Sequence, residues 1–145
     1  MKITVLDKTP GEEDEIILKC GFLDEDMMKF INSFKTGRKK LSLYKNEKIV
    51  LIDYSSIIYF ESVDDNVFAY TKNEVFETKS RLYQLETDLP AEDFMRANKA
   101  VILNLNKIES LSAAFGGRFE ATMNGGYKVI ISRMYVATLK KKLEL

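Results

Sequence analysis

In the stretch Phe94-Met95-Arg96-Ala97-Asn98-Lys99-Ala100-Val101-Ile102-Leu103-Asn104 two kinds of residue meet. Val101-Ile102-Leu103 is an unbroken apolar run of strand length, and it predicts a buried strand. Arg96, Asn98 and Lys99 crowd in just ahead of it, so this polar cluster lies at the mouth of a rigid element rather than on a tail. Arg, Lys and Asn are the side chains that pair best with phosphates and base edges. The pattern points to contact with nucleic acid, with the rest of the chain holding the cluster in place.

Outward from this stretch the sequence is β-rich. Leu41 to Tyr44, Ile49 to Ile52, Ile57 to Phe60, Val67 to Tyr70 and Val75 to Glu77 are short runs of branched and aromatic residues. Turn-prone residues separate them: Lys45-Asn46, Asp53 to Ser56, Asp64-Asp65-Asn66 and Lys72-Asn73. This spacing predicts a sandwich or barrel of antiparallel strands rather than a βαβ array. Ser80 is placed to cap a brief helix with Leu82, Leu85 and Leu89 on one face, stopped by Pro90. Beyond Asn104 come Ile108 to Leu111, a Gly116-Gly117 turn, Phe119 to Met123, the hairpin signal Asn124-Gly125-Gly126, and Tyr127 to Ile131. Ser132 then caps a final helix with Val136, Leu139 and Leu143 at helical spacing. The expected fold class is mainly β with short helices (α+β).

The first forty residues read differently. Lys2 to Leu6 and Ile16 to Cys20 predict two short strands around a Pro10-Gly11 turn. Asp24 predicts the cap of a helix carrying Met27, Met28, Phe30, Ile31 and Phe34, ended by Thr36-Gly37-Arg38-Lys39-Lys40. The expected organisation is therefore a βα extension over 1–40, serving dimerisation or a regulatory protein partner, ahead of a main domain over 41–145.

Composition narrows the function classes. A chain of 145 residues suits one domain with a short appendage. It has no histidine, which removes histidine-based nucleophilic triads and most zinc sites, and points away from an enzyme, a metal or a cofactor. The lone Cys20 forms no internal disulfide, making a reducing cytoplasm the default compartment. No apolar run approaches the roughly 18–20 residues that span a bilayer, so membrane insertion is not expected. The 22 basic and 22 acidic residues balance, yet they are unevenly placed. Residues 1–34 hold four lysines against eight carboxylates, whereas residues 96–142 hold nine basic residues against two acidic ones. Such asymmetry is informative where the total is not. Lys140, Lys141 and Lys142 complement the dipole at the end of the last helix, and Lys140 is also a candidate DNA contact. Arg133 instead opposes the dipole in the first turn, beside free backbone amides that make a natural phosphate seat.

Several motifs occur in a telling order: Ile57-Ile58-Tyr59-Phe60-Glu61-Ser62, then Leu82-Tyr83-Gln84-Leu85-Glu86 with Leu89-Pro90, then Phe94-x-Arg96-x-Asn98-Lys99 ending in Asn104. Lys107-Ile108, Asn124-Gly125 and Ser132-Arg133-x-Tyr135 follow at fitting distances. In this the chain resembles a LytTR-type DNA-binding domain over about residues 40–145. The resemblance implies a β-rich fold whose loops enter successive major grooves of double-stranded DNA. It further implies bacterial transcriptional regulation, commonly at paired sites bound by two copies, hence a homodimer. Lys99 matches the base-reading position, flanked by Arg96 and by Asn98, which stands where many members have histidine. Asn66, in the Asp64-Asp65-Asn66 loop, matches a second DNA-facing loop, and Arg133 with Met134 matches a third. Two departures stand out: Asp64-Asp65 place negative charge in a loop expected near phosphate, and Ala100 replaces a frequent serine. Arg96 and Asn104 also read as side chains pinning local backbone. Many members join this domain to a receiver domain of roughly 120 residues, a common domain size. The forty N-terminal residues do not suffice for one, so the resemblance is to the stand-alone branch. The competing readings are a protein-interaction module with weak or lost DNA binding, and a single-strand binder stacking bases on exposed aromatics such as Tyr127.

Overall fold

A computed structural model describes residues 2–35 and 40–145, without the side chains of residues 32–35. The chain divides into two units, 1–37 and 38–145, each taken here by itself. In the first, helix α1 (Glu25–Lys35) begins where Asp24 Oδ1 accepts the Met27 amide at 2.8 Å, the expected N-cap. The end of that helix at 36–39 and the side chain of Phe34 lie outside the described residues. Neither expected N-terminal strand forms: residues 2–6 and 16–20 have no regular structure. Residues 2–6 alternate and residues 16–20 open on an apolar run, but a strand needs a ladder partner, and Ile3, Val5, Ile16 and Ile17 stay exposed.

The described residues of the second unit form ten strands. A seven-stranded antiparallel sheet contains β1 (Lys40–Lys45), β2 (Lys48–Asp53), β3 (Tyr59–Val63), β4 (Asn66–Tyr70), β5 (Val75–Thr78), β6 (Phe94–Asn98) and β7 (Val101–Asn104). Their order across the sheet is β2-β1-β5-β4-β3-β7-β6. A second sheet, in the order β10-β9-β8, contains β8 (Ile108–Ala113), β9 (Phe119–Met123) and β10 (Lys128–Ile131). Helices α2 (Leu82–Asp88) and α3 (Arg133–Lys142) complete the unit. Of the two expected arrangements the open sandwich is realised, since β2 and β6 remain as unclosed edges. No described helix is long and apolar enough to cross a membrane.

The period-2 alternation of strands sorts the core into two clusters. Val101 and Leu103 of β7 point with Tyr59, Met95 and Ala97 toward Ala121, Met123, Val129 and Ile131 of the small sheet and Leu139 of α3. Ile102 points the other way, with Phe60, Val67, Ala69, Phe76 and Phe94, toward Leu82, Leu85 and Leu89 at α2. This explains why β7 reads as a continuous apolar run: both faces of the strand are covered. Ser80 does not cap α2. The N-cap is Arg81, one residue later, whose amide donates to Gln84 Oε1 at 2.7 Å, while the Ser80 amide turns back to Thr78 Oγ1. Tyr59 and Tyr70 stack at 4.3 Å and Tyr127 meets both edge-on, its hydroxyl donating to the Thr71 carbonyl at 3.1 Å. Burial pushes the Tyr59 and Tyr70 hydroxyls above the usual tyrosine range. Tyr127 is thus occupied within the fold rather than free to stack on bases.

Asn104 is among the few buried polar side chains, 2% exposed. Its Nδ2 donates to the Ile57 carbonyl at 2.9 Å and its Oδ1 accepts the Asn106 amide at 3.0 Å, so one amide ends β7 and fixes the approach to β3. Asn104→Ala strands both backbone groups, and the expected loss is about 1–3 kcal/mol in urea unfolding, with an unchanged slope.

Candidate nucleic-acid interface

Strand register places four connections at one end of the second unit. β3 and β4 meet through the Asp64-Asp65 turn, whose φ angles of 49° and 65° match the twist of a tight hairpin. β7 runs antiparallel to β3 with Val101 opposite Glu61, and the Ser62 amide donates to the Ala100 carbonyl at 2.8 Å. The Lys99-Ala100 turn therefore lies beside the Asp64-Asp65 turn. On its other side the Ser132 amide donates to the Ala97 carbonyl at 2.9 Å, bringing in the start of α3. The β8–β9 loop comes last, since Ala113 pairs with Phe119 and Phe119 with Ile131.

Within this row the predicted residues take different roles. Lys99 is exposed in its turn, and among the described residues no hydrogen bond or ion pair engages its ammonium. Asn98 is committed to the fold: Nδ2 donates to the Ile130 carbonyl of β10 at 2.7 Å and Oδ1 accepts the Ala100 amide at 2.8 Å. A register shift between Arg96 and Asn98 accompanies this change of direction. Arg96 is committed too. Its Nε pairs with Glu86 Oε1 of α2, and its Nη1 donates to the Lys99 carbonyl at 2.8 Å. Arg133 and Met134 open α3, both exposed, with Met134 at 76%. Ser132 stands at the N-cap as expected, but its hydroxyl faces the Ala97 carbonyl instead of capping the helix. Asn66 is exposed beside the acidic turn, its Nδ2 donating to the Asp64 carbonyl at 3.3 Å. Lys140 starts about 10 Å along the helix axis from Arg133, and its Nζ sits over the Phe119 ring at 5.4 Å, beside the β8–β9 loop.

Sequence reading missed three further groups in the row. Arg81 donates through Nη1 to the Asp65 carbonyl at 3.0 Å, which sets a guanidinium against the acidic turn. Lys79 stands two residues earlier, its Nζ over the Tyr44 ring at 4.6 Å. Arg118 folds over its own loop, Nε donating to the Phe115 carbonyl at 3.0 Å. The Lys79-x-Arg81 spacing after β5 was the available signal for the first two. The row thus combines five cations from four connections with two carboxylates, on turns held by ladder hydrogen bonds. Such a surface suits a polyanion, with Lys99 as its least encumbered donor.

The family model of the LytTr DNA-binding domain matches residues 47–144. The chain belongs to the LytTr DNA-binding domain family. Among relatives of this LytTr chain, the sensory transduction protein LytT of Bacillus cereus is 37% identical over 106 residues, which cover 73% of this chain and 43% of LytT. The chain therefore spans under half the length of that relative. An uncharacterized HTH-type transcriptional regulator of Staphylococcus aureus is 29% identical over 147 residues, covering 100% of this chain and 99% of its own. A solved LytTr DNA-binding domain, from a Bacillus cereus protein described as a methyl-accepting/DNA response regulator, superposes with a TM-score of 0.70 at 23% identity. It covers 75% of this chain and 100% of its own, and it shares the LytTr fold.

The two kinds of polar residue in the Lys99 turn separate in a stability measurement. Asn98→Ala is expected to lower unfolding free energy by about 1–2 kcal/mol, because it strands the Ile130 carbonyl and the Ala100 amide. Lys99→Ala is expected to stay within about 0.5 kcal/mol of the parent chain under the same urea titration.

Proposed function

We propose that this LytTr chain is a sequence-specific binder of double-stranded DNA that regulates transcription in the cytoplasm of a bacterium, rather than a catalyst. The observation that carries this is the single row of turns at one end of the sheets, with Lys99 and Arg133 free to leave the protein surface. Lys99 reads base edges in a major groove, where a lysine bonds the acceptor atoms of guanine. Arg133 binds phosphate beside the first amides of α3, whose dipole favours an anion. Asn66 and Met134 contact the neighbouring stretches of the duplex. Arg96 and Asn98 serve as positioning residues, one fixing the Lys99 carbonyl and the other fixing the turn to β10.

Two copies bind paired half-sites as a homodimer, and residues 1–40 mediate pairing or contact with a regulatory protein. The net charge of zero conceals an uneven distribution, with eight carboxylates against four lysines in residues 1–34 and nine basic against two acidic residues in residues 96–142. Sequences selected by the chain from a random duplex pool are expected to hold two half-motifs spaced by about one helical turn or a multiple. On such a duplex, affinity should fall steeply between low and physiological salt as counterions are released. Lys99→Ala should cost about 1–3 kcal/mol on the selected duplex and far less on random DNA. Equal losses on both would remove base reading from Lys99, and a flat salt response would remove the phosphate contacts altogether.

A further inference from the structure

The β8–β9 loop carries a residue that the proposed function leaves unused. Phe115 is 90% exposed, more than any other large apolar side chain described in residues 40–145. The loop beneath it is tightly built. Gly116 and Gly117 both take the left-handed region at φ 77°, which an L side chain adopts only under strain. Arg118 Nε donates to the Phe115 carbonyl at 3.0 Å, and the Ala114 amide donates to the Arg118 carbonyl at 2.7 Å. The ring is therefore held out on a braced tip instead of swinging on a loose one.

The loop is also packed against the proposed interface. A Cβ on Gly117 would stand 3.1 Å from Cδ and 3.2 Å from Cγ of Arg133, so the arginine stem lies directly over that glycine. Whatever brings Arg133 to a phosphate brings Phe115 with it. Phenylalanine has no hydrogen-bonding group with which to read a base. On a duplex it meets either a thymine methyl in the major groove or a base step that it unstacks as a wedge, and only the second raises the fluorescence of a base analogue. Minor-groove proteins combine cationic side chains with apolar wedges that enter between base steps and unstack them. Here Arg118 donates to the Phe115 carbonyl and the Arg133 stem lies on Gly117, so two cations belong to the same loop as the exposed ring.

We propose that Phe115 is an apolar wedge that enters the minor groove at the outer edge of the footprint, next to the phosphate held by Arg133. This rests on the DNA-binding reading above and extends its footprint by one element. Because the ring contributes little to the core, its removal changes binding without changing the fold. Because it carries no charge, its removal leaves the salt dependence alone.

The test uses the full chain and a duplex selected by it from a random pool, with 2-aminopurine placed in turn at each flanking step. Wild type is expected to raise the 2-aminopurine fluorescence at one step per half-site. Phe115→Ala should abolish that rise and weaken binding about tenfold or more, with the wild-type melting temperature and salt slope. Phe115→Leu, still an apolar wedge, should keep the fluorescence rise and bind within about threefold of wild type. Wild-type affinity in Phe115→Ala, or no fluorescence rise with wild type at any step, overturns the wedge while leaving DNA binding standing. Failure of wild type to prefer any duplex over random DNA overturns the DNA-binding reading and the wedge with it.

Discussion

Asn98 and Ser132 join the two sheets at one point. β6 is an edge of the large sheet and β10 an edge of the small one, so each ends in backbone groups without a ladder partner. The Asn98 amide takes up the Ile130 carbonyl, and the Ser132 amide takes up the Ala97 carbonyl. A net hydrogen bond is worth only about 0.5–1.5 kcal/mol, but an unmet carbonyl on the buried Ala97 costs more, so the edges favour one relative position. Behind this junction the small sheet packs its apolar face on Met95, Ala97, Val101 and Leu103. That packing supplies most of the energy, and the two polar bonds fix the register. The Lys99 turn, the start of α3 and the β8–β9 loop all inherit their places from it.

The consequence for function is a division of labour within four residues. Arg96 and Asn98 spend their hydrogen-bonding capacity on Glu86, Ile130 and the turn itself. Lys99 alone stays unbound, on backbone that its neighbours have fixed. A side chain presented this way loses less freedom on meeting a ligand, which favours recognition by preorganisation. The acidic turn at Asp64-Asp65 fits the same surface once Arg81 is seen beside it. A guanidinium on the Asp65 carbonyl offsets local negative charge, so the row keeps its cationic character.

Much of this was legible in the sequence, and the failures have physical causes. Strands of the second unit were readable because turn residues such as Asp64-Asp65 and Asn124-Gly125 bracket branched and aromatic runs. Val101-Ile102-Leu103 announced a strand covered on both faces, and Leu139 announced the buried side of α3. The two N-terminal strands were misread because the alternation of 2–6 and the apolar run of 16–20 are local properties, whereas a ladder requires a partner that these residues lack. Ser80 looked like a cap on identity alone, yet Gln84 could reach back only to the amide of Arg81. That Arg96 pins local backbone was legible, but the Glu86 and Ile130 partners of Arg96 and Asn98 were hidden for a different reason. Their partners lie 10 and 32 residues away, and no local pattern tells whether a polar side chain faces solvent or a distant carbonyl. Phe115 was overlooked because a lone aromatic beside two glycines reads as part of a turn, and its exposure is a property of the fold.

The central claim is that one end of the sheets meets DNA. Backbone amide spectra of the isotopically labelled chain, titrated with a duplex selected from a random pool, test it most directly. The account predicts shifts concentrated at Asn66, Lys99, Ala100 and Arg133, with the Thr71 and Tyr127 end of the sheets unmoved. Shifts centred on Thr71 and Tyr127, or on the exposed Ile49 and Leu51 of β2, with the Lys99 turn silent, would contradict it.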